Sequence, residues 1–169
     1  YFYPENFKSN DLAFELQRRG HQVTVLTGLP NYPEGEIFKG YGIFKNRKQN
    51  INGVRVIRSL LITRGKGGGA RLFLNYYSFA FFASIKALIE GAKQKYDAIL
   101  VHEPSPITQY YPALLMNKIW KTPVYFWVMD LWPESLSIAG GVQNKWVLKY
   151  YTHVIKRFYT NSEKILITS

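Results

Sequence analysis

The sequence contains no cysteine, which excludes disulfides, thiolate zinc sites and a cysteine nucleophile, and is compatible with a reducing cytoplasm. It also lacks the Gly-x-Gly-x-x-Gly turn with which nicotinamide and flavin enzymes hold a pyrophosphate. Gly65 to Gly69 supplies four glycines and a lysine, but not the Lys-Ser/Thr ending of a P-loop, and reads as a flexible linker. The opening Tyr1-Phe2-Tyr3-Pro4 does not begin at a methionine and does not resemble the charged start and apolar core of a secretory leader. The closing Glu163 to Ser169 has a buried-strand pattern and stops where a loop is due. Both ends lead us to expect a piece of a longer protein.

Acids are scarce in one stretch. The net charge of +11 comes from 22 basic residues against 11 acidic ones. Nine of the cations (Lys39, Lys45, Arg47, Lys48, Arg55, Arg58, Arg64, Lys66 and Arg71) follow one another with no carboxylate between them. The remaining cations nearly balance the acids. Such a block suits phosphates of a lipid headgroup, a nucleic acid or an anionic substrate, and equally suits a solvated loop that keeps the protein soluble.

What is present is an alternation of helix and strand. A chain of 169 residues can bury roughly 70% of its unfolded surface and fits one domain. Leu12, Ala13 and Leu16 share a helical face that closes at Arg18-Arg19-Gly20, and the Val-rich run Gln22 to Thr27 follows as a strand. Gly28 to Asn50 shows no sustained period and reads as a long loop. After the turn signal Asn52-Gly53, Val54 to Ile62 is expected as a strand with a basic face formed by Arg55 and Arg58. Leu72 to Ile89 is an apolar helix with a narrow polar stripe of Asn75, Ser78, Lys86 and Lys93. Those polar residues make it a poor membrane span; packing on a sheet is the leading reading and partial insertion into a bilayer surface the lesser one.

The second half repeats the rhythm: strand Ala98 to Val101, loop His102 to Pro106, helix to about Trp120, strand Val124 to Met129, and loop Asp130 to Glu134. A last amphipathic helix carries Val147, Tyr150, Tyr151, Val154, Ile155 and Phe158 on one side before the strand Lys164 to Thr168. Strands alternating with helices predict an α/β fold with a Rossmann-like, doubly wound parallel sheet. Val23 to Leu26, Ile99 to Val101, Tyr125 to Val128 and Ile165 to Ile167 should lie in its strands.

Open parallel sheets bind ligands beyond the carboxyl ends of their strands, which singles out three places. At the head of the first helix Lys8, Ser9 and Asn10 could help hold a phosphate, while Ser9 and Asn10 are equally explicable as helix caps. His102 follows an apolar strand and should emerge at the sheet edge, able to donate a hydrogen bond or handle a proton, with Glu103 beside it as a loop carboxylate. Asp130 and Glu134 could act as a base, bind hydroxyls or cap the next helix; Trp127 and Trp132 could stack on a sugar ring or fill the interior.

Three segments together carry a resemblance: Tyr3 to Leu12 (Tyr-Pro-Glu-Asn-Phe-Lys-Ser-Asn-Asp-Leu), Arg19-Gly20-His21 with the strand and Gly28-Leu29-Pro30-Asn31-Tyr32-Pro33 after it, and Trp127-Val128-Met129-Asp130-Leu131-Trp132-Pro133-Glu134-Ser135-Leu136. Over nearly its whole length the sequence resembles the N-terminal half of bacterial retaining GT-B glycosyltransferases. The branch that makes O-antigen, capsule or exopolysaccharide, including fucosamine-transferase-like enzymes, is the most similar.

The resemblance implies that residues 1–169 form the acceptor-side Rossmann-like domain, without its first strand and without the C-terminal donor-binding domain, and that the isolated piece does not catalyse transfer. It implies a nucleotide-sugar as substrate, no cofactor and no metal, and a glycan or lipid-linked acceptor. His102-Glu103-Pro104 resembles a loop whose histidine approaches the donor sugar, which would make His102 the catalytic residue. Asn6, Lys8 and Ser9 would be near the donor phosphates, although the Gly-Gly of many relatives is replaced here by Asn6-Phe7-Lys8-Ser9. Glu103, Asp130, Trp132 and Glu134 would shape the acceptor side. Lys45, Arg47 and Lys48 would face an anionic membrane or the acceptor's pyrophosphate. A cytoplasmic protein, peripheral on the inner face of the plasma membrane and with no nucleic-acid partner, is the expectation. The rivals are a nucleotide-sugar epimerase or oxidoreductase, separable by NAD binding, and a nucleic-acid-binding module, separable by steeply salt-dependent affinity.

Overall fold

The computed structural model describes residues 7–138 and 141–167. Its elements alternate as the sequence predicts: α1 (Phe7–Arg18), β1 (Thr24–Gly28), β2 (Lys48–Ile51), β3 (Val54–Ser59), α2 (Gly69–Lys93), β4 (Ile99–Glu103), α3 (Tyr111–Trp120), β5 (Val124–Val128), the short α4 (Glu134–Ile138), α5 (Lys145–Thr160) and β6 (Lys164–Ile167). The chain divides into two compact units, residues 1–86 and 87–169, with the boundary inside α2.

In the first unit the sheet order is β1-β3-β2. β1 runs parallel to β3, with Val25 opposite Val56, while β2 is antiparallel to β3. The Asn52-Gly53 signal is a hairpin turn with both residues at positive φ (50° and 83°), the backbone a two-residue turn between right-twisted strands requires. The strand it returns from, β2, falls within what the sequence presents as loop, because Lys48-Gln49-Asn50-Ile51 has a single apolar residue and is defined by its partner rather than by its own pattern. The core joins Ala13 of α1 to Val54 and Val56 of β3.

One expectation for this unit is corrected. Arg55 and Arg58 do not form one basic face, because residues three apart in a strand point to opposite sides. Arg58 is only 2% exposed; its Nη1 donates to the Asn46 carbonyl at 3.0 Å, its guanidinium lies 4.9 Å from the Tyr41 ring centroid, and burial lowers its pKa. Two members of the polar stripe on α2 serve the chain itself. Asn75 is buried and donates to the Ile62 carbonyl at 2.6 Å, and the Ile62 N–H donates to the Ser78 hydroxyl at 2.8 Å, so both groups satisfy the backbone as it leaves β3. By length and composition α2 is long and apolar enough to cross a membrane. It buries a small-residue face of Ala80, Ala83 and Ala87 and leaves Phe73, Leu74, Phe81 and Ile85 exposed.

The second unit is built on a wholly parallel sheet, order β4-β5-β6. Three of the four strand pairings in the described residues are thus parallel, giving the α/β, Rossmann-like class. Val101, Val124, Phe126 and Val128 meet α3 and α5 in the larger core. Tyr110 anchors it, stacked 4.5 Å from Phe158, edge-on to Phe126 at 4.7 Å, with its hydroxyl 2.7 Å from that of Ser162. α5 begins at Asn144, whose side-chain oxygen accepts from the N–H groups of Trp146 and Val147. Its Tyr151, Val154, Ile155 and Phe158 are buried as expected, whereas Val147 and Tyr150 are exposed. β6 pairs with β5 as predicted, but its side chains stay exposed rather than buried.

Gly35 has φ 80°, and a Cβ there would run into the Gly65 carbonyl oxygen, where the two backbones also hydrogen-bond from the Gly65 N–H to the Gly35 carbonyl. Gly40, at φ 91°, has open space where its Cβ would be. Gly35→Ala should therefore cost about 3 kcal/mol and Gly40→Ala about 1 kcal/mol, backbone strain alone. Urea unfolding followed by circular dichroism checks this, and equal losses for the two variants would contradict it.

Candidate functional site

The site forms where β4 and β5 end. β4 continues through His102 and Glu103, so these two residues close the strand instead of opening the loop. The ladder carries on past them, since His102 is opposite Trp127, Glu103 opposite Val128, and the Met129 N–H donates to the Glu103 carbonyl at 3.0 Å. Alternation then gives the neighbours opposite fates. Val101 and Glu103 point into the core, and His102 points to the other face.

His102 is half-buried, its ring 4.7 Å from that of Trp127 and its Nε2 2.8 Å from the Met129 sulfur. A thioether can only accept, and weakly, so this contact is a hydrogen bond only when Nε2 carries the proton. A ligand oxygen is a stronger acceptor than that sulfur. The following loop is strained at Ser105, a non-glycine residue at φ 123°.

Glu103 is the departure from the sequence reading. It is 0% exposed, both carboxylate oxygens lack a hydrogen-bond partner among the described residues, and it therefore cannot reach an acceptor. Burial pushes its pKa up to about 8, with the Asp130 charge adding to the rise. The Asp130 N–H is near enough to pull the value back somewhat without completing a bond to either oxygen. The same buried carboxyl and Glu134 raise the pKa of Tyr159, after burial itself.

Asp130 and Glu134 stand where expected, after β5. Asp130 Oδ1 accepts from the Ser135 hydroxyl, which also contacts the Leu131 carbonyl at 2.8 Å, so the carboxylate pins the start of α4. Glu134 is exposed at the first position of that helix. Trp132 is 8% exposed, packed 5.1 Å from Tyr151 in the core. A ring so covered has no face for a sugar, and of its two readings the interior one describes it. Met129, Ser135 and Tyr159 were not singled out from sequence; the first two lie within the matched loop, but only spatial contact reveals their partners.

In the first unit Asn6 is outside the described residues, Lys8 is exposed and Ser9 half-buried. Ser9 and Asn10 are not caps, because the chain is already helical at Phe7. Of the basic trio, Lys45 and Lys48 are exposed, while Arg47 donates to the Arg58 carbonyl at 3.2 Å and the Ile43 carbonyl at 3.3 Å. Arg64 likewise donates to the Pro33 carbonyl at 3.2 Å and covers the Tyr32 ring. Part of the positive charge therefore serves to fix the long loop.

An α/β domain with polar residues gathered at the carboxyl ends of adjacent parallel strands has the layout of a domain that binds its ligand at that edge. Residues 9–169 match the family described as Glycosyl transferase 4-like domain, and the chain belongs to that family, a Rossmann-like N-terminal domain of GT-B glycosyltransferases. No curated protein matches the chain.

Glu103 sets a pH dependence. Its folded pKa lies above the ordinary value of 4.5, so between about 4.5 and 8 the folded state binds more protons than the unfolded one. Stability should be greatest below pH 4.5 as far as this group is concerned and fall as pH rises toward 8. Glu103→Gln, which cannot ionise, should flatten that slope and be more stable than the parent at pH 8. Denaturant titrations at pH 5, 7 and 8.5 measure it; parallel pH profiles for the two proteins would contradict a buried neutral Glu103.

Proposed function

We infer that this domain is the acceptor-side half of a bacterial enzyme that moves a sugar from a nucleotide-sugar donor to a glycan or lipid-linked acceptor with retention at the anomeric carbon. Cell-surface polysaccharide synthesis, in a branch similar to the fucosamine transferases, is the proposed setting. Membership of the glycosyltransferase family supports the reaction class, and the single observation that supports the site is His102 at the end of β4, half-buried with its Nε2 2.8 Å from the Met129 sulfur. In the proposed reaction the imidazole donates a hydrogen bond to the donor sugar. The acceptor oxygen bonds to the anomeric carbon on the face from which the phosphate departs, and the acceptor proton leaves with that phosphate.

The donor's nucleotide would be held by a second domain outside this sequence, so the chain alone would not transfer sugar. No metal or cofactor is invoked. Asp130, fixed against Ser135, and the exposed Glu134 are the proposed acceptor-side carboxylates, with Lys8 and Ser9 proposed near the donor phosphates. The enzyme would work in the cytoplasm, peripheral on the inner face of the membrane that carries a lipid-linked acceptor, and the cations around Lys45 and Lys48 support that placement.

The test is transfer from a panel of nucleotide-sugars by the enzyme that carries this domain, with product anomeric configuration read by NMR. His102→Ala should lower kcat by about 100-fold or more with an unchanged Tm, since it removes a donor aimed at the reacting sugar. Near-normal turnover by the folded variant rejects the assignment, and a product of inverted configuration rejects retention.

A further inference from the structure

Residues 37–89 contain no Asp or Glu, and within them the structure builds a projecting apolar tip. The Gly42 N–H donates to the Lys45 carbonyl at 3.2 Å and the Lys45 N–H to the Gly42 carbonyl at 3.3 Å, a reciprocal pair that leaves Ile43 and Phe44 alone at a tight reversal. Behind it, Asn46 at φ 51° donates from Nδ2 to the Gly40 carbonyl at 2.9 Å, and Arg47 reaches the Ile43 carbonyl. Arg47 is anchored in turn to Arg58, the buried cation beside Tyr41. The turn thus stands on a bonded base.

Phe44 is 96% exposed and Ile43 55%, with the exposed Lys45 and Lys48 close in sequence and Lys39 exposed before them. Solvated reversals are ordinarily made of Gly, Asn, Asp and Ser, and a phenylalanine there leaves its whole ring in water. An exposed apolar pair flanked in sequence by exposed lysines matches one surface in both layers: acyl chains take the ring, and anionic headgroups take the lysines. Nucleic acid would satisfy the charges but offers no apolar layer for Ile43.

We propose that the Ile43-Phe44 tip, with Lys45 and Lys48, inserts into the interface of an anionic bilayer and is the membrane contact of this domain. This rests on the membrane-facing reading of the basic segment and assigns it to particular side chains. Arg47, part of the tip's base, supports the contact without facing the lipid.

Because the chain has no cysteine, Phe44→Cys gives one labelling position. An NBD group placed there should brighten and shift to the blue with phosphatidylglycerol vesicles and not with phosphatidylcholine vesicles. In sedimentation, unlabelled Phe44→Ser should bind phosphatidylglycerol vesicles about tenfold more weakly than the parent, and Lys45→Gln and Lys48→Gln about fivefold each, all with unchanged Tm. If the parent binds these vesicles while Phe44→Ser binds equally and the label is silent, the tip assignment falls and the basic-segment reading stands. A parent that binds no anionic vesicle, or that instead binds single-stranded RNA with a steep salt dependence, overturns both.

Discussion

The register of β4 against β5 is the constraint on which the site depends. The ladder holds Glu103 opposite Val128 and extends to the Met129 N–H, which leaves no freedom for the last two residues of β4. A slip of one residue would send His102 into the core and Glu103 out of it. The core that enforces the register is the aromatic cluster of Tyr110, Phe126 and Phe158 with the valines of both strands. A carboxyl buried without a partner opposes folding at neutral pH unless it stays protonated, and the burial that raises its pKa achieves that. One alternation thus yields an outward imidazole with a weak sulfur partner and an inward neutral acid beneath the Asp130 loop.

In the first unit three arginines of the basic segment are bound within the fold. Arg47, Arg58 and Arg64 turn their planar guanidinium groups to backbone carbonyls and aromatic rings of the 28–50 loop, while Lys45 and Lys48 remain exposed. A guanidinium presents several donors in fixed directions and is less strongly hydrated than an ammonium, so it suits the inner positions. Counting the block as nine equivalent cations overstates what it can offer a ligand.

The fold class, the strands at Ile99, Tyr125 and Ile165, the Asn52-Gly53 turn and the buried face of α5 were legible because each is written in local periodicity or turn chemistry. β2 was not, since only pairing with β3 makes a strand of Lys48-Gln49-Asn50-Ile51. Arg58 misled because a charged side chain suggests solvent, whereas a backbone carbonyl within the unit binds it. The positions of His102, Asp130 and Glu134 followed from where apolar runs end. Carrying the alternation of Leu100 and Val101 two residues further would have placed Glu103 inside. The Met129 and Ser135 contacts arise between separate turns of chain and have no periodic signal.

The proposed donor role makes His102 the one histidine that a nucleotide-sugar touches, among three in the chain. His21 and His153 are exposed, on the segment after α1 and on α5 respectively. The most direct test follows all three imidazole signals by NMR while donor is added to the enzyme that carries this domain. The His102 signals should shift with saturation, and those of His21 and His153 should stay in place. A saturating donor that leaves His102 unmoved would contradict the proposed site.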